Sequence, residues 1–281
     1  MSKLKVSELF YSIQGEGRYM GVPSVFLRVF GCNFTCDGFG MPRGEKSNER
    51  NLVAADIEQF KQYRDLPLVH TGCDSYASWD PRFKDLSPVL TTDSLAESIC
   101  QILPFKEWRD EHLVITGGEP LLGWQRSYPD LLDHEKMQGL KEITFETNGT
   151  QRLSDEFKSY LFKWAKKPGR EITFSVSAKL PCSGEAWEDA IRPEIVCEYE
   201  WFGTAYLKFV IATEQDFKDA ECAIGAYLKA GFRGHIYLMP VGGVESVYSL
   251  NNRTVADLAM KNGLRYSDRL QVPLFKNEWG T

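Results

Sequence analysis

No stretch of this sequence stays apolar for the roughly 18 residues that a membrane-crossing helix needs. Its opening, MSKLKVSELFYSIQGEG, also lacks the uninterrupted apolar core of a secretory leader. The expected location is the cytoplasm, with no membrane partner. Basic residues are not in excess: 33 Lys and Arg stand against 39 Asp and Glu, a formal charge of −6. That balance argues against a broad grip on nucleic-acid phosphates. Histidine is scarce, with four residues and no pair at zinc-ligand spacing. Cysteine is present, but its seven copies are odd in number and unevenly spread, which suits reduced thiols better than a disulfide scaffold. Neither an internal repeat nor a low-complexity tract is found, so solenoids and disordered tails are set aside.

What remains is an ordinary globular composition, 43% hydrophobic over 281 residues, enough for a sizeable core in one domain spanning 1–281. Short β-rich runs fall at 24–30, 112–116, 142–147, 171–177, 205–211 and 235–239. Segments with helical spacing lie among and after them at 93–103, 154–165, 214–230 and 251–262. Gly231 closes the third of these as a glycine stop. Strand and helix in alternation predict an α/β fold with a parallel sheet. The least regular stretch, 37–72, has one helix-like patch at 52–63 and reads as a functional, partly helical insertion.

Chemistry gathers at the ends of the expected strands. Cys32 and Cys36 follow the apolar run 25–29; thiols four apart can bind zinc, pair with each other, or simply fill buried space. Cys73, in a polar and aromatic segment, is a possible third ligand, and three thiolates without a fourth leave one metal position open. The strand 113–116 stops at Gly117-Gly118-Glu119-Pro120, where backbone can approach a ligand closely and the Glu119 carboxylate can accept from an ammonium group; a plain tight turn explains the same residues. Glu146-Thr147-Asn148-Gly149 and Ser175-Val176-Ser177-Ala178-Lys179 end the next two strands in the same way. Three such endings in succession suit one ligand lying across the C-terminal edge of a parallel sheet. Cys100, Cys182, Cys197 and Cys222 have no cluster spacing and read as packing residues. Lys208 faces either the sheet interior or solvent, and alternation alone does not decide which.

Taken together these residues resemble the radical S-adenosylmethionine enzymes and, among them, the 7-carboxy-7-deazaguanine synthases, from the seventh residue onward. The most specific stretch is Glu8-Leu9-Phe10-Tyr11-Ser12-Ile13-Gln14-Gly15-Glu16-Gly17, followed by Gly21 to Arg28 and Gly31-Cys32-Asn33. The strand endings above and the tail Arg269 to Phe275 with Trp279-Gly280-Thr281 keep the family's order. One departure concerns the third cysteine, which the family usually carries three residues after the second; Phe39 stands there and cannot bind iron. Cys73-Asp74-Ser75 with Trp79 is similar to the family's Cys-Asp-Thr segment and its tryptophan, so Cys73 is taken as the third ligand after 36 intervening residues.

The resemblance implies an incomplete parallel (β/α) barrel. Cys32, Cys36 and Cys73 would hold three irons of a 4Fe-4S cluster, the fourth being left for the amino and carboxylate groups of S-adenosyl-L-methionine. Cofactor contacts would come from Gly117, Gly118, Glu119, Ser177, Ala178, Lys179, Met239, Pro240, Val241 and Gly242. The substrate implied is 6-carboxy-5,6,7,8-tetrahydropterin, contacted by Ile13, Gln14, Gly15, Glu16, Arg28, Thr116 and Thr281. Mg²⁺ would bind the hydroxyl of Ser75, which replaces the family's threonine. The implied reaction, a radical ring contraction with loss of ammonia, makes the chain a lyase that draws electrons from a donor such as flavodoxin and works as a homodimer. Two other readings stay open. A radical activase acting on a partner protein is opposed by the 14–16 loop, and a non-enzymatic zinc-binding or nucleic-acid module by the acidic balance and missing zinc spacing.

Overall fold

The computed structural model describes residues 2–281. Nine strands form one sheet: β1 (Lys3–Ile13), β2 (Pro23–Val29), β3 (Val89–Thr91), β4 (His112–Gly117), β5 (Glu142–Thr147), β6 (Glu171–Val176), β7 (Thr204–Ile211), β8 (Ile236–Pro240) and β9 (Arg265–Tyr266). Their order is β3-β1-β2-β4-β5-β6-β7-β8-β9. From β2 to β9 every neighbouring pair is parallel, whereas β1 runs antiparallel to both β2 and β3. With β3 and β9 as its two edges, the sheet is an open, incomplete barrel. Parallel strands buried on both faces read as near-continuous apolar runs, which is why all six expected strands form close to their predicted bounds. β4 is buried along its whole length.

Nine helices accompany the sheet among the described residues: α1 (Glu49–Ala55), α2 (Thr92–Ile102), α3 (Tyr128–Leu132), α4 (Asp155–Ala165), α5 (Trp187–Ala190), α6 (Pro193–Tyr199), α7 (Glu214–Ala230), α8 (Glu245–Lys261) and α9 (Gln271–Phe275). The longer ones carry clear local signals. Thr91 and Ser154 cap α2 and α4 by accepting from the third helical amide. Thr213 and Asp216 form a reciprocal capping box on α7, which ends at Gly231 with φ +103°. One large core between sheet and helices includes Phe145, Phe157, Trp164, Phe174 and Tyr199.

Several elements depart from the sequence expectation. β1 was not foreseen: the stretch from Glu8, singled out in the sequence only for its motif, is strand as far as Ile13, with a register shift between Val6 and Glu8, and the expected substrate loop begins at its end. The patch expected as a helix at 52–63 is instead α1, starting and ending earlier, followed by single 3-10 turns at Ile57–Gln59 and Tyr63–Asp65. α8 begins six residues before its expected start, because burial of Tyr248 draws the preceding turn into the helix. Cys100 is buried, and Cys182 and Cys197 are half-buried against the main core, but Cys222 is exposed and packs nothing. No helix is long and apolar enough to cross a membrane among the described residues.

Candidate active site

A single cleft opens at the C-terminal ends of the parallel strands. Its wall takes Arg28 from β2, Thr116 and Gly117 from β4, Glu146 and Thr147 from β5, Lys208 and Val210 from β7, and Met239 from β8. Cys32, Cys36, Cys73, Ser75, Gly118, Ser177, Lys179, Val241, Gly242 and Thr281 reach it from the connecting segments, as do Ile13, Gln14, Gly15 and Glu16 at the end of β1. Eighteen of the 21 residues singled out in the sequence therefore meet in one place. Glu119, Ala178 and Pro240 are buried and do not line the cleft.

The Glu119 carboxylate accepts from the backbone amides of Asn148 (2.6 Å) and Leu121 (3.0 Å) and from the Thr147 hydroxyl (2.8 Å), so it ties the ends of β4 and β5 together behind the cleft wall. Burial pushes its pKa up to about 7 against the pull of these donors.

One end of the cleft is sulfur. Cys32, Cys36 and Cys73 share a small apolar cluster with Phe34, Phe39 and Ala190. The loop carrying the first two is held on every side. Gly31 donates to the carbonyl of Ser78 (2.8 Å) and accepts from the amide of Glu119 (2.7 Å), and one oxygen of Glu185 accepts from the amides of Thr35 (2.8 Å) and Cys36 (2.7 Å). Cys36 is left with φ +52°, a left-handed conformation rare outside glycine. Gly118 has to be glycine, since a Cβ there would lie 2.4 Å from the carbonyl oxygen of Gly31 and 2.7 Å from Cβ of Cys32. Burial pushes the Cys32 thiol up to about 12 and the Cys36 and Cys73 thiols upward as well, so each stays protonated until a metal takes its proton's place.

Cys73 is brought to this end by α1. Glu49 accepts from the amides of His70 (2.7 Å) and Thr71 (3.0 Å), while the neighbouring Arg50 pairs with Asp37 (2.9 Å) and Asp80 (2.5 Å). The amide of Gly72 donates to the carbonyl of Phe39 (2.7 Å). The residues after Cys36 and those before Cys73 are thus fastened to each other through α1. Among the described residues no three His, Cys, Asp or Glu side chains close on a single metal ion. A four-iron cluster binds each thiolate to a different iron, and three thiols around one apolar pocket beside the close-packed Gly118 fit that group.

The other end of the cleft is charged. Glu16 sits between Lys208 Nζ (2.5 Å), Arg269 Nε (3.1 Å) and Gln271 Nε2 (2.9 Å). Arg269 also pairs with Asp74 (2.5 Å) and donates to the carbonyl of Gly242 (2.5 Å). Gln14 donates to Glu146 (3.2 Å), which lies 3.8 Å from Lys208. Burial alone would raise the pKa of Glu16, but Lys208 and Arg269 hold it down to about 2. Lys208 and Arg269 are raised above their ordinary values by the carboxylates facing them, despite burial. Arg28 uses its Nε on Glu8 at 2.8 Å. Lys179 donates to the Ser177 hydroxyl (2.9 Å) and has no carboxylate within ion-pair distance among the described residues, which leaves its charge for an anionic ligand. Lys208, Arg269, Glu146 and Asp74 were not named as site residues from the sequence. Lys208 was open to either face, and Arg269 lies 253 residues from its partner Glu16.

No family model matches the chain. Curated proteins do. A 7-carboxy-7-deazaguanine synthase of Halobacterium salinarum is 29% identical over 98% of this chain and 91% of its own length. The synthase of that name from Methanospirillum hungatei is 25% identical over 98% and 86%, and that of Hyperthermus butylicus 28% over 96% and 92%. End to end, the chain is similar to the 7-carboxy-7-deazaguanine synthases. Among solved structures, QueE from Escherichia coli has the same fold, with a TM-score of 0.54 at 19% identity over 94% of this chain and 93% of its own. The two chains share the overall arrangement of the open sheet.

Proposed function

We infer that the chain is a radical S-adenosylmethionine lyase that converts 6-carboxy-5,6,7,8-tetrahydropterin to 7-carboxy-7-deazaguanine and ammonia. The observation that carries this reading is the division of one cleft into a thiol end and a charged end, in a chain matched along its length by synthases of that name. When bound, the cluster and S-adenosylmethionine would supply a 5′-deoxyadenosyl radical, and the chain's own residues supply binding, orientation and charge.

Cys32, Cys36 and Cys73 are the cluster ligands in this reading. Lys179, lacking an ion-pair partner, meets the cofactor's carboxylate, while Gly117, Gly118, Ser177, Met239, Val241 and Gly242 form its bed. Arg28 offers its terminal guanidinium nitrogens to the substrate carboxylate, its Nε already fixed by Glu8. Glu16 has three of its acceptor sites filled, so only one is left for a pterin donor, and its main work is to hold Lys208 and Arg269 in place. Gln14, Thr116 and Thr281 complete the substrate contacts. Ser75 supplies a hard hydroxyl oxygen for Mg²⁺, beside Asp74 at 3.4 Å. A cytoplasmic homodimer reduced by a flavodoxin-type donor, with 1–281 as one domain and 37–72 inserted into it, is part of the same proposal.

Anaerobic iron and sulfide analysis of the wild type and Cys73→Ala, followed by incubation with S-adenosylmethionine and the carboxypterin, tests it. About four irons per chain and carboxydeazaguanine from the wild type, with both lost in the variant, are expected. A wild type that takes up only zinc, or that makes no deazaguanine with a full cluster, overturns the reading.

A further inference from the structure

Two sulfurs in the cleft accept N–H groups: Cys32 from the backbone of Phe34 at 3.4 Å, and Cys73 from the indole Nε1 of Trp79 at 3.3 Å. The second bond is made by a side chain that a separate element holds in place. Arg50 of α1 lies over the indole face with its Cζ 4.7 Å from the ring centroid, and its guanidinium is fixed by Asp37 and Asp80. Trp124 and Trp279, by contrast, send their indole N–H to the backbone carbonyls of Phe30 and Leu66. An N–H directed at a ligand sulfur stabilises whichever redox state carries more negative charge there. A cation against the indole face holds the ring and draws density from its N–H.

We propose that Trp79 is a positioning residue that raises the reduction potential of the cluster through its hydrogen bond to Cys73, with Arg50 as the clamp that aims the indole. The proposal rests on Cys73 being a cluster ligand. It gives the 37–72 segment a role in electron transfer as well as in bringing the third thiol into place. Arg50 touches neither sulfur nor substrate, so its effect is transmitted by Trp79.

The test is an EPR-monitored redox titration of the reconstituted holoprotein, with iron analysis, on wild type, Trp79→Phe, Arg50→Met and Cys73→Ala. Trp79→Phe is expected to keep the wild-type iron content with a more negative midpoint, and Arg50→Met to shift it in the same direction by less. Wild type carrying indole-¹⁵N tryptophan should show a nitrogen coupling to the reduced cluster in pulsed EPR, a readout that holds even if Trp79→Phe fails to assemble. Full iron with an unmoved midpoint in Trp79→Phe, or no such coupling in the wild type, overturns the tuning role and leaves Cys73 a ligand. Wild-type iron and midpoint in Cys73→Ala overturn the ligand reading itself.

Discussion

Glu16 shows how much one side chain can carry. It is deprotonated at a pKa of about 2, against an ordinary 4.5, because two cations face it. A depressed acid contributes stability above its unfolded pKa and loses it as pH falls through the folded one, so this contribution is complete above pH 4.5 and disappears toward pH 2. The shift corresponds to something on the order of 3 kcal/mol. Urea melts of Glu16→Gln should therefore show a loss of about 3 kcal/mol at pH 7, where Arg269 keeps Asp74 and Lys208 keeps Glu146 but each loses its Glu16 contact, and a shallower decline in acid than the wild type. Glu119→Gln should cost about 2 kcal/mol for a different reason. Three donors converge on its carboxylate, and an amide must turn one NH₂ toward an N–H; calorimetry at pH 7 reads the difference. Cys32, Cys36, the Gly117-Gly118 turn and the Ser177-Ala178-Lys179 ending were legible in the sequence because they follow apolar strand runs, whereas Ile13 to Glu16, Arg28, Ser75 and Thr281 were expected only from the family resemblance. Arg269 was not legible as a site residue, since its pairing with Glu16 and Asp74 depends on the chain folding back after β9.

At the scale of elements, the contact between the ends of β2 and β4 decides whether the thiols can gather. Gly118→Ala puts a methyl into the backbone of Gly31 and against Cys32, so the cysteine loop has to move outward. The expected result is a folded protein, with a circular dichroism spectrum close to wild type, that binds less than half the wild-type iron on reconstitution. Wild-type iron in that variant would show that the loop is freer than its hydrogen bonds indicate. The central strands were legible because burial on both faces leaves them apolar throughout. α3 and α6 were missed, although Pro129 and Pro193 mark their first turns, because helices of five and seven residues show too little periodicity. β1 was missed because its outer half carries Glu8 and Ser12, polar residues that break up the apolar run, and of these Glu8 faces the cleft beside Phe10.

Across the whole molecule, stability should be graded from the centre of the sheet outward. β4, β5 and β6 lie between two paired neighbours and are almost wholly buried, whereas β3 and β9 are short edges of three and two residues. Hydrogen exchange should release the amides of β3 and β9 first and those of β4 to β6 only on global unfolding; equal rates would mean that the open sheet unfolds from within. The fastening of Cys73 to Cys36 through α1 bears on a further matter, the entropy of the intervening chain. Closing a loop costs only about 0.6 kcal/mol more for each doubling of its length. Going from the two residues of the usual spacing to the 36 found here therefore costs about 2.5 kcal/mol. The Glu49 and Arg50 contacts of α1 are enough to offset a cost of that size, so the spacing of such thiols along a chain is weakly constrained once a clamp exists. A search keyed to a fixed interval between cysteines would pass over this chain, while one keyed to the acid–arginine pair at the start of a short helix, followed by Cys-Asp-Ser and a tryptophan, would find it.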